Sequence, residues 1–282
     1  MKVLVTGGAG FIGSNLIKKL IKLNYQTISI DNYSTGYTSN HYEGCIYYNI
    51  DICDKQFFND LPTDIDCIFH CAAKARIQES FIDPEIYFKS NVFGTYNVVN
   101  YALKINSPII YTGTSSHHGG KFSNPYTFTK DIGEETILLH QKFFNLKASI
   151  ARLYNVYGPN ECTDKNATLI GKLKQHIKEN STLIINGNGN KKRDFTHVDD
   201  IVDGLVLIMQ KEKYGYEFEL GSGKNYSVNQ IVSFFNYSNV IYKKDVIGEM
   251  KATLADNSLA SQELSWKPKK SIIEYIEELK IN

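Results

Sequence analysis

Gly7, Gly10 and Gly13 recur at intervals of three, and this spacing constrains the chain more than any other feature. Residues 2–6 before them are an apolar run suited to a buried strand. Residues 11–23 after them repeat Ile12, Leu16, Ile17, Leu20 and Ile21 with helical spacing. A strand that turns on glycines into a helix brings its backbone close to a pyrophosphate, whose charge meets the free N–H groups at the helix N-terminus. An ordinary turn would also tolerate these glycines, so the next strand matters. Residues 26–30 supply it, and it ends on Asp31, 18 residues after Gly13. A carboxylate there accepts hydrogen bonds from the adenosine ribose hydroxyls and repels a 2′-phosphate, so NAD is the expected cofactor rather than NADP.

The alternation continues through the first half of the chain. Residues 67–70, 108–111 and 147–153 read as strands, and residues 84–102 and 126–145 as helices, the former with Tyr87, Val92, Tyr96 and Val99 on an apolar face. This is the order of an α/β fold, a Rossmann doubly wound parallel sheet with a smaller C-terminal substrate-binding lobe. Residues 1–162 are expected to form the NAD-binding Rossmann domain, with 194–212 packing back on it. Residues 163–193 and 213–282 are expected to form the lobe, which holds a helical segment at 167–179 and turn-rich stretches at 160–166 and 186–192.

The 282 residues carry 31 basic and 30 acidic side chains, a net charge of +1, which provides no general attraction to nucleic acid or to an anionic membrane. Lys191, Lys192 and Arg193 form the densest basic group, too small for a nucleic-acid arm but suited to a diphosphate. No apolar run approaches the roughly 20 residues that span a bilayer, and no charged leader precedes the glycine loop. The five cysteines (Cys45, Cys53, Cys67, Cys71 and Cys162) are odd in number and irregular in spacing. That fits a reducing compartment, hence a cytoplasmic protein, and neither a disulfide framework nor a metal site.

Tyr126 and Lys130 stand four apart at the head of a helix, on one face. A free tyrosine, with a pKa of about 10, is a poor base at neutral pH unless positive charge stabilises its phenolate. Lys130 and an oxidised nicotinamide ring would supply that charge. Thr114, at the end of the preceding strand, offers a hydroxyl that can hold a substrate alcohol in line with Tyr126. The expected catalytic set is Thr114, Tyr126 and Lys130.

With these motifs in order, the sequence resembles the extended short-chain dehydrogenase/reductase family, specifically its NAD-dependent nucleotide-sugar epimerases and dehydratases of the UDP-glucose 4-epimerase type. The likeness runs along nearly the whole chain. It takes in Thr6-Gly7-Gly8-Ala9-Gly10-Phe11-Ile12-Gly13, Asp31-Asn32, Asp51-Ile52, His70-Cys71-Ala72-Ala73 and Asn91-Val92-Phe93-Gly94-Thr95. It continues through Pro125-Tyr126 to Lys130, Arg152 to Pro159 and Arg193-Asp194-Phe195, and ends on Asp256 and Trp266-Lys267-Pro268 as a C-terminal signature. The resemblance implies that Gly7, Gly10, Phe11, Ile12, Gly13, Asp31, Asn32, Ala72, Lys74, Tyr126 and Lys130 bind the cofactor. It also implies that Asp51 and Ile52 flank the adenine and that Asn91 orders the active site. Ser115, Ser116, Asn155 and Arg193 would hold the sugar and its diphosphate. A homodimer packed through residues 84–102 and 126–145 is a further implication.

Dehydratases of this family carry an Asp-Glu pair directly after the catalytic threonine, because expelling a hydroxyl needs an additional acid and base. Ser115 and Ser116 stand there instead. The expected reaction is therefore epimerisation of a nucleotide-activated sugar at C4 through a transient 4-keto intermediate. A net C4 dehydrogenase or reductase is the alternative among enzymes, and a catalytically silent NAD-binding scaffold the alternative outside them. Three departures leave the sugar and base open. Only eleven residues separate Thr114 from Tyr126, Asn186 replaces an aromatic expected against the base, and Val246 replaces an arginine expected at the diphosphate. His70 follows an apolar strand and reads as structural. His117 and His118 replace apolar and aromatic residues beside the site, so a substrate contact stays open for them.

Overall fold

The computed structural model describes residues 1–164 and 167–281, with only the backbone of Phe57, Lys280 and Ile281. Lys165, Asn166 and Asn282, which the lobe reading includes, lie outside the described residues. The chain opens with β1 (Lys2–Thr6), α1 (Phe11–Lys22) and β2 (Gln26–Asp31), and β2 lies parallel to β1 with Lys2 opposite Gln26. β3 (Cys45–Asn49), absent from the sequence expectation, adds outside β2. On the other flank β4 (Cys67–His70) pairs with β1. The chain then passes through α2 (Ile77–Ile82), α3 (Pro84–Tyr87), a π-helical turn at Phe88–Gly94 and α4 (Thr95–Ile105) to β5 (Ile109–Thr114). α5 (Pro125–Phe144) leads to β6 (Ala148–Leu153), beside β5.

Beyond β6 come β7 (Val156–Tyr157), α6 (Leu169–Glu179), β8 (Leu183–Asn186), β9 (Lys192–Asp194), β10 (Thr196–His197), α7 (Val198–Gln210) and β11 (Glu217–Leu220). They are followed by β12 (Asn225–Ser227), α8 (Val228–Phe234), β13 (Val240–Lys243), α9 (Ser258–Leu264) and α10 (Ile272–Ile281). The main sheet has seven strands in the order β11-β6-β5-β4-β1-β2-β3, every pairing parallel. The order reverses between β1 and β4. In a doubly wound sheet the crevice beyond the carboxyl ends of the strands at such a point receives the ligand.

Parallel strands covered on both faces must be apolar on both, and β5 and β6 are buried at every position. Successive side chains point to opposite faces. Val3 and Val5 of β1 therefore join a core with Leu16, Leu20, Leu205 and Trp266, while Leu4 joins Val98, Val99, Ile109 and Ile137 on the other side. A third core, with Ile170, Leu173, Ile185, Phe195, Ile231 and Ile272, holds the lobe.

The expected division needs one correction. Residues 213–282 do not lie wholly in the lobe, because Glu217–Leu220 forms the edge strand of the main sheet, with Phe218 opposite Ala151. Trp266 packs with α7 in the sheet's core and donates from Nε1 to Asp200 O at 2.8 Å. The chain thus returns to the sheet after leaving it for the lobe, and Arg193 stands on a strand that pairs with β12 in antiparallel register, opposite Tyr226.

Candidate active site

The glycine loop fits a pyrophosphate cradle. Gly7 has φ +72°, and a Cβ there would stand 2.8 Å from the Ala72 backbone, so a side chain would fill the floor. Asp31 is held by two backbone N–H groups, Ala9 to Oδ2 at 2.9 Å and Tyr33 to Oδ1 at 2.8 Å. Burial raises its carboxyl above the ordinary range, and those two N–H groups pull it back. Each oxygen keeps a lone pair for a ribose hydroxyl. Asn32 Nδ2 donates to Asp51 Oδ2 at 2.8 Å, and Asn97 Nδ2 to Ile52 O at 2.9 Å, which fixes the pair expected at the adenine.

Sequence reasoning passed over a second loop. Tyr37 N and Asn40 Nδ2 both donate to Ala9 O, at 3.0 and 2.9 Å, so residues 32–40 fold over the glycine turn. Lys74 Nζ reaches Ser34 Oγ at 3.0 Å across the same groove. The Ser-Thr-Gly at positions 34–36 was the available signal, because Gly36 lies against Ala9 where a side chain has no room.

Asn91, buried in the π-helical turn, acts as a tie. Its Oδ1 accepts from Lys74 N at 2.8 Å, while its Nδ2 donates to Lys74 O at 3.0 Å and to Thr129 Oγ1 at 3.1 Å. The segment after β4 is thereby joined to α5. A π turn inserts a residue and re-aims a side chain, which is how such turns serve sites.

α5 begins sharply. Asn124 has extended backbone at φ −167° and accepts from Thr127 N at 2.8 Å, with Pro125 in the first turn. Tyr126 and Lys130 follow on one face. Lys130 is buried, donates from Nζ to Thr112 O at 2.8 Å and lies 4.1 Å from the centre of the Tyr111 ring. Burial lowers its ammonium to about 8, against the pull of Glu134 and other nearby anions. Burial also raises the Tyr126 phenol above its ordinary value, while the hydrogen-bonding Thr114 hydroxyl and the charge of Arg76 act in the opposite direction. Thr114 and Tyr126 therefore meet at the carboxyl end of β5, while Lys130, one helical turn on, is held at Thr112 O of the same strand. Arg76 was missed by sequence reasoning.

Ser115, Ser116, Asn155 and Arg193 line one cavity of about 70 Å³ with Ile77 and Asn124. Asn155 spends its amide on Asp194 O and Thr253 Oγ1, both at 3.2 Å, so it braces the lobe. Arg193 lies 3.5 Å from Glu249 Oε2, and burial lowers its guanidinium somewhat.

His70 is structural, as expected: buried, it bonds Thr6 Oγ1 at 2.7 Å and Thr95 Oγ1 at 3.0 Å, and burial lowers it to about 3. His117 Nδ1 meets Asp131 Oδ1 at 2.9 Å, and His118 Nε2 meets Glu219 Oε1 at 2.6 Å. Both therefore pin the loop that carries Ser115 and Ser116. Atoms of His117, Asp131 and Glu134 come within 4.8 Å of one another, a grouping of metal-ligand type. Arg152 already holds Glu134 Oε2 at 2.7 Å and Glu217 Oε2 at 2.5 Å, which makes the group an ion-pair network.

Among the described residues no helix is long and apolar enough to cross a membrane. Residues 3–221 match the model of the NAD dependent epimerase/dehydratase family. UDP-glucuronic acid decarboxylase 1 of Arabidopsis thaliana is 27% identical, over 97% of this chain and 68% of its own length. The crystal structure of UDP-glucose 4-epimerase from Thermotoga maritima with UDP-glucose superposes with a TM-score of 0.93 at 27% identity, covering 100% of this chain and 99% of that one. UDP-glucuronic acid 4-epimerase from Bacillus cereus, in complex with UDP-glucuronic acid and NAD, gives 0.90 at 29% identity over 99% and 100%. The Rossmann sheet, the glycine cradle and the match over residues 3–221 agree: the chain belongs to the NAD-dependent epimerase/dehydratase family, within the extended short-chain dehydrogenases/reductases, and its cofactor is NAD.

Proposed function

We propose that the protein epimerises a nucleotide-activated sugar at C4. The observation that carries this reading is the Tyr126 phenol at the Thr114 hydroxyl, with a buried Lys130 four residues further along the same helix and Ser115 and Ser116 in place of an acid-base pair. Thr114 orients the C4 hydroxyl and Tyr126 accepts its proton, while the Lys130 ammonium favours the phenolate. NAD, which the glycine turn and Asp31 would hold, would supply reversible hydride acceptance at C4. A 4-keto sugar that turned over within the cleft would regain its proton from Tyr126 on the other face, and with the hydride returned there no net oxidation would result. Ser115, Ser116 and Arg193 retain the nucleotide sugar throughout, with Arg193 positioned for the diphosphate.

Decarboxylation, named for the plant relative, would begin with the same C4 oxidation. Incubating the NAD-loaded protein with UDP-, dTDP-, GDP- and CDP-sugars, and reading product stereochemistry by NMR, separates the outcomes. A C4-inverted sugar supports epimerisation. Accumulated keto sugar with an equal amount of reduced cofactor makes the protein a dehydrogenase, released carbon dioxide makes it a decarboxylase, and no turnover of any sugar leaves a scaffold. Tyr126→Phe is expected to lower kcat by at least about 100-fold while retaining NAD; undiminished kcat would remove Tyr126 from the acid/base role.

A homodimer is part of the same proposal. Phe93, Tyr96, Leu139, Phe143 and Phe144, on the π turn, α4 and α5, are all exposed in the single chain.

A further inference from the structure

A helix cannot satisfy the N–H groups of its own first turn. In α5, Pro125 has none to satisfy, and Thr127 N donates to Asn124 Oδ1 at 2.8 Å. Tyr126 N donates outside its helix, to Ser80 Oγ of α2 at 3.1 Å. This acceptor is a fully buried hydroxyl, 46 residues away along the chain, and its own hydrogen goes to Ile77 O at 2.6 Å. A carbonyl only accepts and a peptide N–H only donates, so each bond has one possible direction, and neither a pure donor nor a pure acceptor could replace the hydroxyl. A helical serine commonly bonds back to a carbonyl three or four residues earlier and does nothing else. Here the same oxygen also fixes the backbone of the proposed acid/base.

The ring of Tyr126 is held from the same side. Tyr87, at the end of α3, stands edge-on to it with centroids 6.4 Å apart, and the Tyr87 hydroxyl donates to Arg76 O at 2.8 Å. Ser80 N donates to that same carbonyl at 3.1 Å. Ser80 and Tyr87 are therefore tied together at one atom, and between them they meet Tyr126 at its backbone nitrogen and at its ring. α2 is itself anchored, because Gln78 Nε2 donates to Ile247 O at 3.0 Å and Gly248 lies against the Phe81 ring. A tyrosine held at both ends in this way keeps its hydroxyl in one place, at Thr114.

We propose that Ser80 is a positioning residue for Tyr126: its hydroxyl, acting through the Tyr126 peptide nitrogen, sets where the phenol stands against the substrate alcohol. This rests on the acid/base reading above. Ile77 lines the cavity with Ser115, Ser116 and Arg193, whereas Ser80 lines no part of it. The contribution of Ser80 therefore belongs to the chemical step and not to binding.

The test is a double-mutant cycle on the NAD-loaded protein, with whichever nucleotide sugar the panel selects. Ser80→Ala is expected to lower kcat by roughly 10- to 100-fold, the scale of a misplacement of about 1 Å at a reacting group, with KM within about twofold of the wild type and NAD retained on purification. In a Tyr126→Phe background the same substitution should change the residual kcat by less than about twofold, because no phenol remains to be placed. Equal losses in both backgrounds would make Ser80 a purely structural residue and overturn the proposal. A kcat unmoved by Ser80→Ala, or an effect confined to KM, overturns it as well. Should Ser80→Ala lose its NAD, the cycle is run with Ser80→Cys, whose thiol fills the site but bonds weakly, and the same two ratios decide. An undiminished kcat in Tyr126→Phe alone, or a wild type that turns over no sugar, overturns the acid/base reading, and the role of Ser80 falls with it.

Discussion

Lys130 carries a charge where burial opposes charge. Its folded pKa of about 8 lies below the ordinary value of 10.5. Below pH 8 both folded and unfolded chains hold the proton, and the folded chain bears the full cost of the buried ammonium, on the order of 3 kcal/mol at about 1.4 per unit. Between pH 8 and 10.5 the folded chain releases the proton first, so this contribution turns more favourable to folding as pH rises. Under the proposed function activity runs the other way, since a Tyr126 phenolate would need the charge. We expect kcat/KM to fall on the alkaline side with an apparent pKa near 8. Lys130→Met at pH 7 should lose turnover by about 100-fold or more while melting within a few degrees of the wild type. Relief of the buried charge there offsets the donor lost to Thr112 O, which costs about 1–3 kcal/mol. A melting temperature lowered by more than about ten degrees would show that the ammonium stabilises the fold. The placing of Thr114 at a strand end and of Tyr126 and Lys130 on one helix was legible in the sequence because strand-end and i, i+4 positions are local. Arg76 and the roles of His117 and His118 were not, because their surroundings come from distant elements: the partner of His117 is 14 residues away and that of His118 is 101.

At the scale of elements, Tyr126, the proposed acid/base, is aimed by the start of α5. Asn124 caps the helix through Oδ1 and ties it to the lobe through Nδ2, which donates to Gly248 O at 2.9 Å. Asn124→Ala loses the cap, the lobe contact and a third bond, to Ser123 Oγ. The cap alone is worth about 1 kcal/mol, so a melting temperature lower by roughly 2–4 °C is expected for a chain of this size, with kcat reduced because Tyr126 lies two residues into the helix. Asn124→Asp keeps the cap and loses only the contacts made through Nδ2, so it should melt close to the wild type. Calorimetry and steady-state rates on the two variants check this; equal destabilisation by both would mean that the Nδ2 contacts, and not the cap, set the helix. Capping by Asn-Pro and the glycine turn are local signals and were readable. Glu217–Leu220 was not, since four residues of alternating Glu and apolar side chains suit a surface loop equally well. Pairing with β6 decides it, and the same strand delivers Glu217 to Arg152.

At the scale of the molecule, the sheet and lobe account for the buried surface of one chain but leave an apolar face on α4 and α5. The Tyr96 ring stands edge-on to His140 at 6.0 Å, and the buried His140 stacks on Phe144 at 5.1 Å, so an aromatic contact joins the two helices beneath the exposed Tyr96 and Phe144 rings. Tyr96 is 48% and Phe144 57% exposed, with Phe93 and Phe143 above 60% nearby. Under the proposed homodimer a two-fold axis would let this face meet its copy. The face belongs to α5, whose inner side holds Lys130, so pairing would stiffen the helix that carries the acid/base. Light scattering should give twice the 32.0 kDa chain mass. Tyr96→Glu with Phe144→Glu places four like charges across the axis of a dimer and should yield a monomer of lower melting temperature and reduced kcat. The wild-type melting temperature should rise with protein concentration, because association stabilises only the folded chain. A wild type that scatters as a monomer at tens of micromolar, with a melting temperature independent of concentration, would leave this face without a second copy to cover it.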